Sequence, residues 1–156
     1  MMASLITDEA LEWARELELP RYKVASRTVV DRPDLVRKIL AEGKPTFVSL
    51  GMWDRHEFPF GPPDGKSLFY IYCRSKYPAS WSDLTGFPER FDASGYYGYS
   101  DHMLDLSACF LAIERGALYL EKHFTMDKSS TVIRDHALSA TPEEFRLLAE
   151  KVEVTR

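Results

Sequence analysis

Residues 95–102 have the sequence G-Y-Y-G-Y-S-D-H, and residues 117–124 have the sequence A-L-Y-L-E-K-H-F. Each stretch begins with the aromatic and aliphatic residues of a buried strand and closes on polar side chains. Because side chains alternate along a strand, Ser100 and His102 share one face, and so do the glutamate and histidine of the second stretch. One helical connection separates the two stretches, which predicts neighbouring strands whose polar ends meet.

The same pattern of apolar strands separated by helices continues along the chain. Besides the two stretches above, strand-like runs rich in β-formers lie at residues 22–26, 46–50 and 68–73, and residues 1–6 are compatible with the end of a further strand. Helix signals stand between several of them, including Thr7 as an N-cap, Pro33 in a first turn and a capping box that begins at Thr141. Strands that alternate with helices predict an α/β fold with a parallel sheet and right-handed crossovers.

Ligands of such sheets bind at the carboxyl ends of the strands. This chain places polar side chains at those positions. They are Ser26, Ser49, Ser75 with Tyr77, Ser100 with His102, and Glu121 with His123. The sequence therefore predicts a site assembled from several strand ends.

The composition narrows the class of protein. The 156 residues are 45% hydrophobic and 28% charged, which is typical of one soluble globular domain, here residues 1–156. A net charge of -4 without a basic stripe argues against a nucleic-acid surface. No apolar run approaches the roughly 20 residues that span a membrane, and we expect no signal peptide in the first residues because they lack a basic region followed by an apolar run. With Cys73 and Cys109 as its two cysteines, we expect a cytoplasmic protein.

The spacing of His102 and His123 is compatible with two interpretations. Two imidazoles from adjacent strand ends provide half of a metal site, and substrate and water complete it. Alternatively, the two histidines are hydrogen-bonded residues at a sheet edge. Spacing alone leaves both interpretations open.

The remaining polar residues also have two interpretations. Hydroxyls at strand ends together with Lys23 suit a phosphate or a carboxylate, since they supply donors and one positive charge. Serine also commonly ends strands, and Lys23 is equally compatible with a solvated position. Asp135 follows the last strand, where its carboxylate could act on substrate hydroxyls, serve as an acid or base, or cap a turn.

Longer strings in the chain resemble the sialic acid synthase family. They include R-Y-K-V-A-S, G-K-P-T-F-V-S-L-G-M, Y-C-R-S-K-Y-P, G-Y-S-D-H, E-K-H-F-T-M-D and R-D-H-A-L-S-A-T-P-E-E-F, in the family's order and over nearly the whole chain. The resemblance implies condensation of phosphoenolpyruvate with an N-acylated hexose, typically N-acetylmannosamine, to give a nonulosonic acid and phosphate. It also implies a divalent ion, usually Mn²⁺, and a TIM barrel followed by an antifreeze-like domain.

The resemblance assigns roles to individual residues. The implied metal ligands are His102 and His123, the implied phosphoenolpyruvate-binding residues are Lys23, Ser26, Ser49 and Ser100, and the implied catalytic residues on the sugar side are Tyr77 and Asp135. The ion would polarise the aldehyde of the open-chain sugar while the enol carbon attacks it.

The chain also departs from the family pattern. Thr28 stands where the family has a glutamate, Leu50 replaces a hydroxyl residue, and residues 53–66 form a Pro-rich loop in place of a helix. We expect a partial TIM barrel of about strands 3–8, without the first strands and the antifreeze-like domain. Because an open barrel exposes two strand edges, we expect a homo-oligomer that closes them, or a rearranged sheet.

The leading hypothesis is therefore a phosphoenolpyruvate-condensing transferase. The alternative is a non-catalytic fragment or assembly module that retains only metal or phosphoenolpyruvate binding. A related enzyme that acts on a phosphorylated sugar is a third hypothesis, although the local strings match the sialic acid branch better.

Overall fold

The computed structural model describes residues 1–129 and 134–155. The chain divides into two compact units, Met1–Cys73 and Arg74–Arg156. The expectation that residues 1–156 form one domain stays a prediction.

The first unit consists of parallel strands with helices in the connections. Its strands are β1 (Ala3–Ser4), β2 (Tyr22–Val24), β3 (Thr46–Ser49) and β4 (Leu68–Cys73). They pair in chain order, and every pair is parallel. Its helices are α1 (Asp8–Glu16), α2 (Ser26–Asp31) and α3 (Pro33–Ala41). This arrangement confirms the predicted α/β pattern for this part of the chain.

Helix α1 shows which local signals determine the element. The Thr7 hydroxyl accepts a hydrogen bond from the backbone N–H of Ala10 at 3.1 Å, so the predicted N-cap is confirmed. Leu11 and Ala14 are buried, as an apolar helical stripe requires. Leu17 continues the same spacing but is exposed, because the helix has already ended and Leu17 is its C-cap.

In the second unit, the described residues form two adjacent parallel strands and three α-helices. The strands are β5 (Tyr96–Asp101) and β6 (Tyr119–Lys122), and the helices are α4 (Phe91–Ser94), α5 (Ser107–Glu114) and α6 (Pro142–Thr155). The predicted capping box of α6 is confirmed, since Glu144 N–H donates to the Thr141 hydroxyl at 3.3 Å and Thr141 N–H donates to the Glu144 carboxylate at 2.8 Å.

Strands β5 and β6 approach each other closely at one glycine. Gly98 is in register with Tyr119, and a Cβ atom at Gly98 would collide with the carbonyl group of Tyr119. A glycine at this position therefore permits the pairing of the two strands that carry the candidate histidines.

One predicted strand boundary is wrong. The run at residues 22–26 continues an apolar pattern, but β2 ends at Val24 and Ser26 is the first residue of α2. Thr28 and Val29 of that helix are buried, so tertiary packing holds the segment in a helix despite its β-branched residues. The predicted absence of a regular helix in residues 53–66 is confirmed.

Among the described residues, no helix combines the length and the apolar character needed to cross a membrane.

Candidate functional site

Strands β5 and β6 lead into two polar tripeptides, S-D-H at residues 100–102 and E-K-H at residues 121–123. The parallel register pairs Ser100 with Glu121 and Asp101 with Lys122. Because side chains alternate, the first and third residues of both tripeptides lie on one face of the sheet. The middle residues, Asp101 and Lys122, lie on the other face.

The two histidines lie beside each other. The ring centroids of His102 and His123 are 5.5 Å apart, with 55° between the ring planes. The Tyr77 ring contacts both, at centroid distances of 4.1 Å from His102 and 6.0 Å from His123. The Asp135 carboxylate lies 4.0 Å from Nδ1 of His123. The second unit therefore brings together two predicted metal ligands and both predicted catalytic residues.

The surroundings of His102 determine the tautomer of its imidazole ring. Its side chain is buried, and Nδ1 lies 2.8 Å from the carbonyl oxygen of Arg74. A carbonyl oxygen only accepts hydrogen bonds, so Nδ1 carries the proton and Nε2 keeps its lone pair. Burial lowers the pKa of His102, the nearby His123 lowers it further, and the Arg74 carbonyl opposes the shift. The lowered pKa favours the neutral ring, and the Nδ1–H tautomer is the one in which Nε2 can bind a metal.

The spacing of the two rings fits one shared ion. Two imidazoles that bind an ion at about 2.1 Å have ring centroids roughly 5 Å apart, close to the 5.5 Å between His102 and His123. Within the described ranges, no group of three or more His, Cys, Asp or Glu side chains is arranged to hold a metal ion. The two histidines would therefore share an ion with ligands from water or substrate.

A carboxylate on the same face receives two hydroxyl groups. Ser100 donates to Oε1 of Glu121 at 3.1 Å, and Tyr119 donates to Oε2 at 2.8 Å. Burial, followed by the adjacent Glu121 charge, raises the pKa of Tyr119. The sequence pattern predicts Glu121 at a strand end but does not predict its hydrogen-bond partners. The signal for this contact is the β5–β6 register.

The other predicted phosphoenolpyruvate residues lie in the first unit. Lys23, Ser26 and Ser49 are all buried. Lys23 is in register with Phe47, and Ser49 follows two residues later, so the lysine and this serine share one face of the sheet. Ser26 Oγ accepts a hydrogen bond from Gly51 N–H at 2.9 Å. Among the described residues, the Ser49 hydroxyl has no hydrogen-bond partner, which leaves a buried group able to bind a ligand.

Each unit is built of parallel strands with helices in the connections, and each carries polar side chains near the carboxyl ends of its strands, where α/β proteins of this kind bind their ligands. A family model described as the NeuB family matches residues 1–156. The chain belongs to the NeuB family.

Curated relatives agree with this assignment. The chain is 31% identical over 163 residues to the N,N'-diacetyllegionaminic acid synthase of Legionella pneumophila, covering 97% of this chain and 45% of that protein. It is 30% identical over 160 residues to a pseudaminic acid synthase of Campylobacter jejuni, covering 96% of this chain and 46% of that protein. The chain thus spans less than half of the length of these relatives.

A solved structure supports the fold. The crystal structure of the N-acetylneuraminic acid synthetase of Leptospira borgpetersenii, in complex with citrate, matches with a TM-score of 0.79 and 23% identity. The match covers 96% of this chain and 54% of that chain. The predicted fold class, an α/β partial TIM barrel, is confirmed, and so is the resemblance to sialic acid synthases.

Proposed function

We propose that this chain carries the metal-binding and part of the substrate-binding residues of a sialic-acid-synthase-like transferase. The reaction would condense phosphoenolpyruvate with an N-acylated hexose, such as N-acetylmannosamine, to give a nonulosonic acid and phosphate. The observation that carries the proposal is the convergence of His102, His123, Tyr77 and Asp135 beyond two parallel strands. The names of the relatives, which are synthases of related sugar acids, support the same chemistry.

His102 and His123 would hold a divalent ion, for which we propose Mn²⁺. When bound, the ion would supply Lewis-acid polarisation of the sugar aldehyde. The Arg74 carbonyl keeps His102 in the tautomer that presents Nε2, so this ligand needs no proton rearrangement before binding. His123 is more exposed, with 37% of its side chain accessible, and would adjust as the ion enters.

Lys23, Ser26, Ser49 and Ser100 would bind phosphoenolpyruvate. A buried lysine supplies the positive charge that a phosphate or carboxylate needs, and hydroxyls supply directional donors. The Ser49 hydroxyl supports this role because it is buried on the same face as Lys23 and makes no bond to another described residue.

Asp135 and Tyr77 would act on the sugar side. The Asp135 carboxylate is 34% exposed, so it can reach a ligand while it stays close to His123. It would accept a hydrogen bond from a sugar hydroxyl or serve as an acid or base. Tyr77 packs against both imidazoles and limits the space in which an open-chain sugar can lie.

Phosphate release tests the proposal. The purified chain is incubated with phosphoenolpyruvate, N-acetylmannosamine and Mn²⁺, and phosphate is measured over time. We expect release that requires the sugar and stops when a chelator removes the metal. No release at high protein concentration would contradict the enzymatic proposal for this chain.

A second candidate is a non-catalytic module that binds metal or phosphoenolpyruvate without turnover. It is favoured by Thr28, which stands where the resemblance to sialic acid synthases implies a glutamate. Calorimetric titration with Mn²⁺ and phosphoenolpyruvate separates the two, since binding without phosphate release supports the module. Assembly into homo-oligomers and a cytoplasmic location stay predictions. Sedimentation analysis tests the assembly.

A further inference from the structure

Asp101 and Lys122 form a buried ion pair on the sheet face opposite the histidines. Lys122 Nζ lies 2.5 Å from Oδ2 of Asp101, and their side chains are only 1% and 0% exposed. Burying two charges is unfavourable unless the geometry is good and the remaining hydrogen-bonding groups are satisfied. The other bonds of the two side chains therefore indicate what the pair does.

The Lys122 ammonium has three acceptors for its three hydrogens. Besides the Asp101 carboxylate, it donates to the carbonyl oxygen of Met103 at 2.8 Å and to that of Asp105 at 3.3 Å. Both carbonyls belong to the segment that follows His102. Lys122 on β6 thus binds the chain that leaves β5.

The Asp101 carboxylate also accepts hydrogen bonds from three groups besides Lys122. Oδ1 accepts from the Tyr99 hydroxyl at 2.6 Å and from Met103 N–H at 3.0 Å. Oδ2 accepts from the Cys109 thiol at 3.4 Å, in addition to Lys122. Burial and the Asp101 charge raise the pKa of Cys109, so the thiol stays protonated and donates.

These bonds fix the chain on both sides of His102. Asp101 precedes His102 and Met103 follows it, and both are bound to Lys122, which itself precedes His123. A hydrophobic pair of similar volume could stabilise the two strands equally well. It could not bind the two carbonyls beyond His102, so strand stability alone does not account for the charges.

We propose that Asp101 and Lys122 are positioning residues that hold the imidazoles of His102 and His123 at the separation needed to share one ion. The inference rests on the metal-binding part of the proposed function. In each tripeptide the middle residue, on one face of the sheet, then positions the histidine that follows it on the other face.

The test compares the double variant Asp101→Asn/Lys122→Met with Leu148→Ala. The double variant removes both charges and keeps approximate side-chain volume. Leu148 is buried on α6 of the same unit, so its truncation reduces stability while every residue of the two tripeptides is kept. Mn²⁺ affinity is measured by the electron paramagnetic resonance signal of the free ion. Two-bond ¹H–¹⁵N NMR of the metal-free chain reports the tautomer of each histidine.

We expect the double variant to lose about 10-fold to 100-fold in Mn²⁺ affinity, as partners of metal ligands typically do. We expect its His102 to become a mixture of tautomers, whereas Leu148→Ala keeps the Nδ1–H form and wild-type affinity. Should the double variant fail to fold, Lys122→Arg keeps the charge. Its planar group cannot serve the same three acceptors, and we expect a smaller but measurable loss of affinity.

Unchanged affinity and tautomer in a folded charge variant would overturn the inference. A similar loss in Leu148→Ala would also overturn it, because the effect would then follow stability alone. If the wild-type chain binds no Mn²⁺ while the double variant loses the His102 tautomer, the metal assignment of the proposed function fails and the positioning role is supported.

Discussion

The Ser100 hydroxyl donates a hydrogen bond to the Glu121 carboxylate across 3.1 Å between β5 and β6. A hydroxyl has one hydrogen, so Ser100 cannot donate to a phosphate while this bond persists. The negative charge of Glu121 also opposes an anion at the same place. If Ser100 binds phosphoenolpyruvate, it has to exchange this partner for the ligand.

Glu121→Gln tests this competition, since glutamine keeps the shape and an acceptor oxygen but removes the charge. We expect phosphoenolpyruvate to bind about threefold to tenfold more tightly, a gain of at most ~1.4 kcal/mol. Isothermal titration calorimetry measures the affinity. Tyr119→Phe, which removes the other hydroxyl on Glu121, is the control and leaves the affinity within about twofold. Weaker binding by Glu121→Gln would show that the carboxylate assists the anion site.

Removal of either imidazole should abolish the shared ion site. We expect His102→Ala and His123→Ala each to reduce Mn²⁺ affinity by at least about 100-fold, since even outer partners of ligands contribute about 10-fold to 100-fold. His56 is exposed, so His56→Ala serves as the matched control and should bind like the wild type. Equal affinities in all three variants would exclude the histidine pair as the metal site.

Ser49 and Ser26 should differ in their effects on stability. Ser26→Ala removes the acceptor of the Gly51 N–H bond, and we expect a loss of about 1 kcal/mol in the free energy of unfolding. Ser49→Ala removes a buried hydroxyl that bonds to no other described residue, so stability should stay level or rise. Urea denaturation measures both. Calorimetry should show that Ser49→Ala still weakens phosphoenolpyruvate binding, and unchanged binding would remove Ser49 from the proposed site.

Asp64 should make stability depend on pH in the acid range. Its carboxylate accepts from the Ser67 hydroxyl and from the backbone N–H groups of Lys66, Ser67 and Leu68, where β4 begins. These bonds, the Ser67 hydroxyl first, hold the pKa of Asp64 well below its usual value of 3.8. A lowered folded-state pKa stabilises the fold above the unfolded-state pKa, and this contribution is lost as pH falls below about 3.8.

The measurement is thermal unfolding of wild type and Asp64→Asn between neutral and acid pH. The melting temperatures should differ most at neutral pH and converge as the carboxyl becomes protonated. A constant difference at all pH values would show that the charge of Asp64 is not the stabilising feature.

The geometry is predictable from the sequence where a local period or a short connection determines it. Alternation put Ser100 and His102 on one face, and a single helical connection made β5 and β6 neighbours, so the histidine pair was predictable. The ion pair of Asp101 with Lys122 was not, because it appears only when the register of two strands separated by 21 positions is known. Ser26 was placed in a strand because its apolar neighbours continue the pattern, while the packing of α2 decides otherwise.

The ion pair between Asp101 and Lys122 limits the substitutions that this protein tolerates at the two strand ends. A substitution that removes the Asp101 charge leaves the Lys122 ammonium buried without its counter-ion, and the reverse holds as well, so neither charge can be lost alone without a large penalty. The two positions should therefore show strong epistasis and co-vary across descendants of this chain. An engineer who transplants the histidine pair into another barrel would have to transfer both tripeptides as one unit.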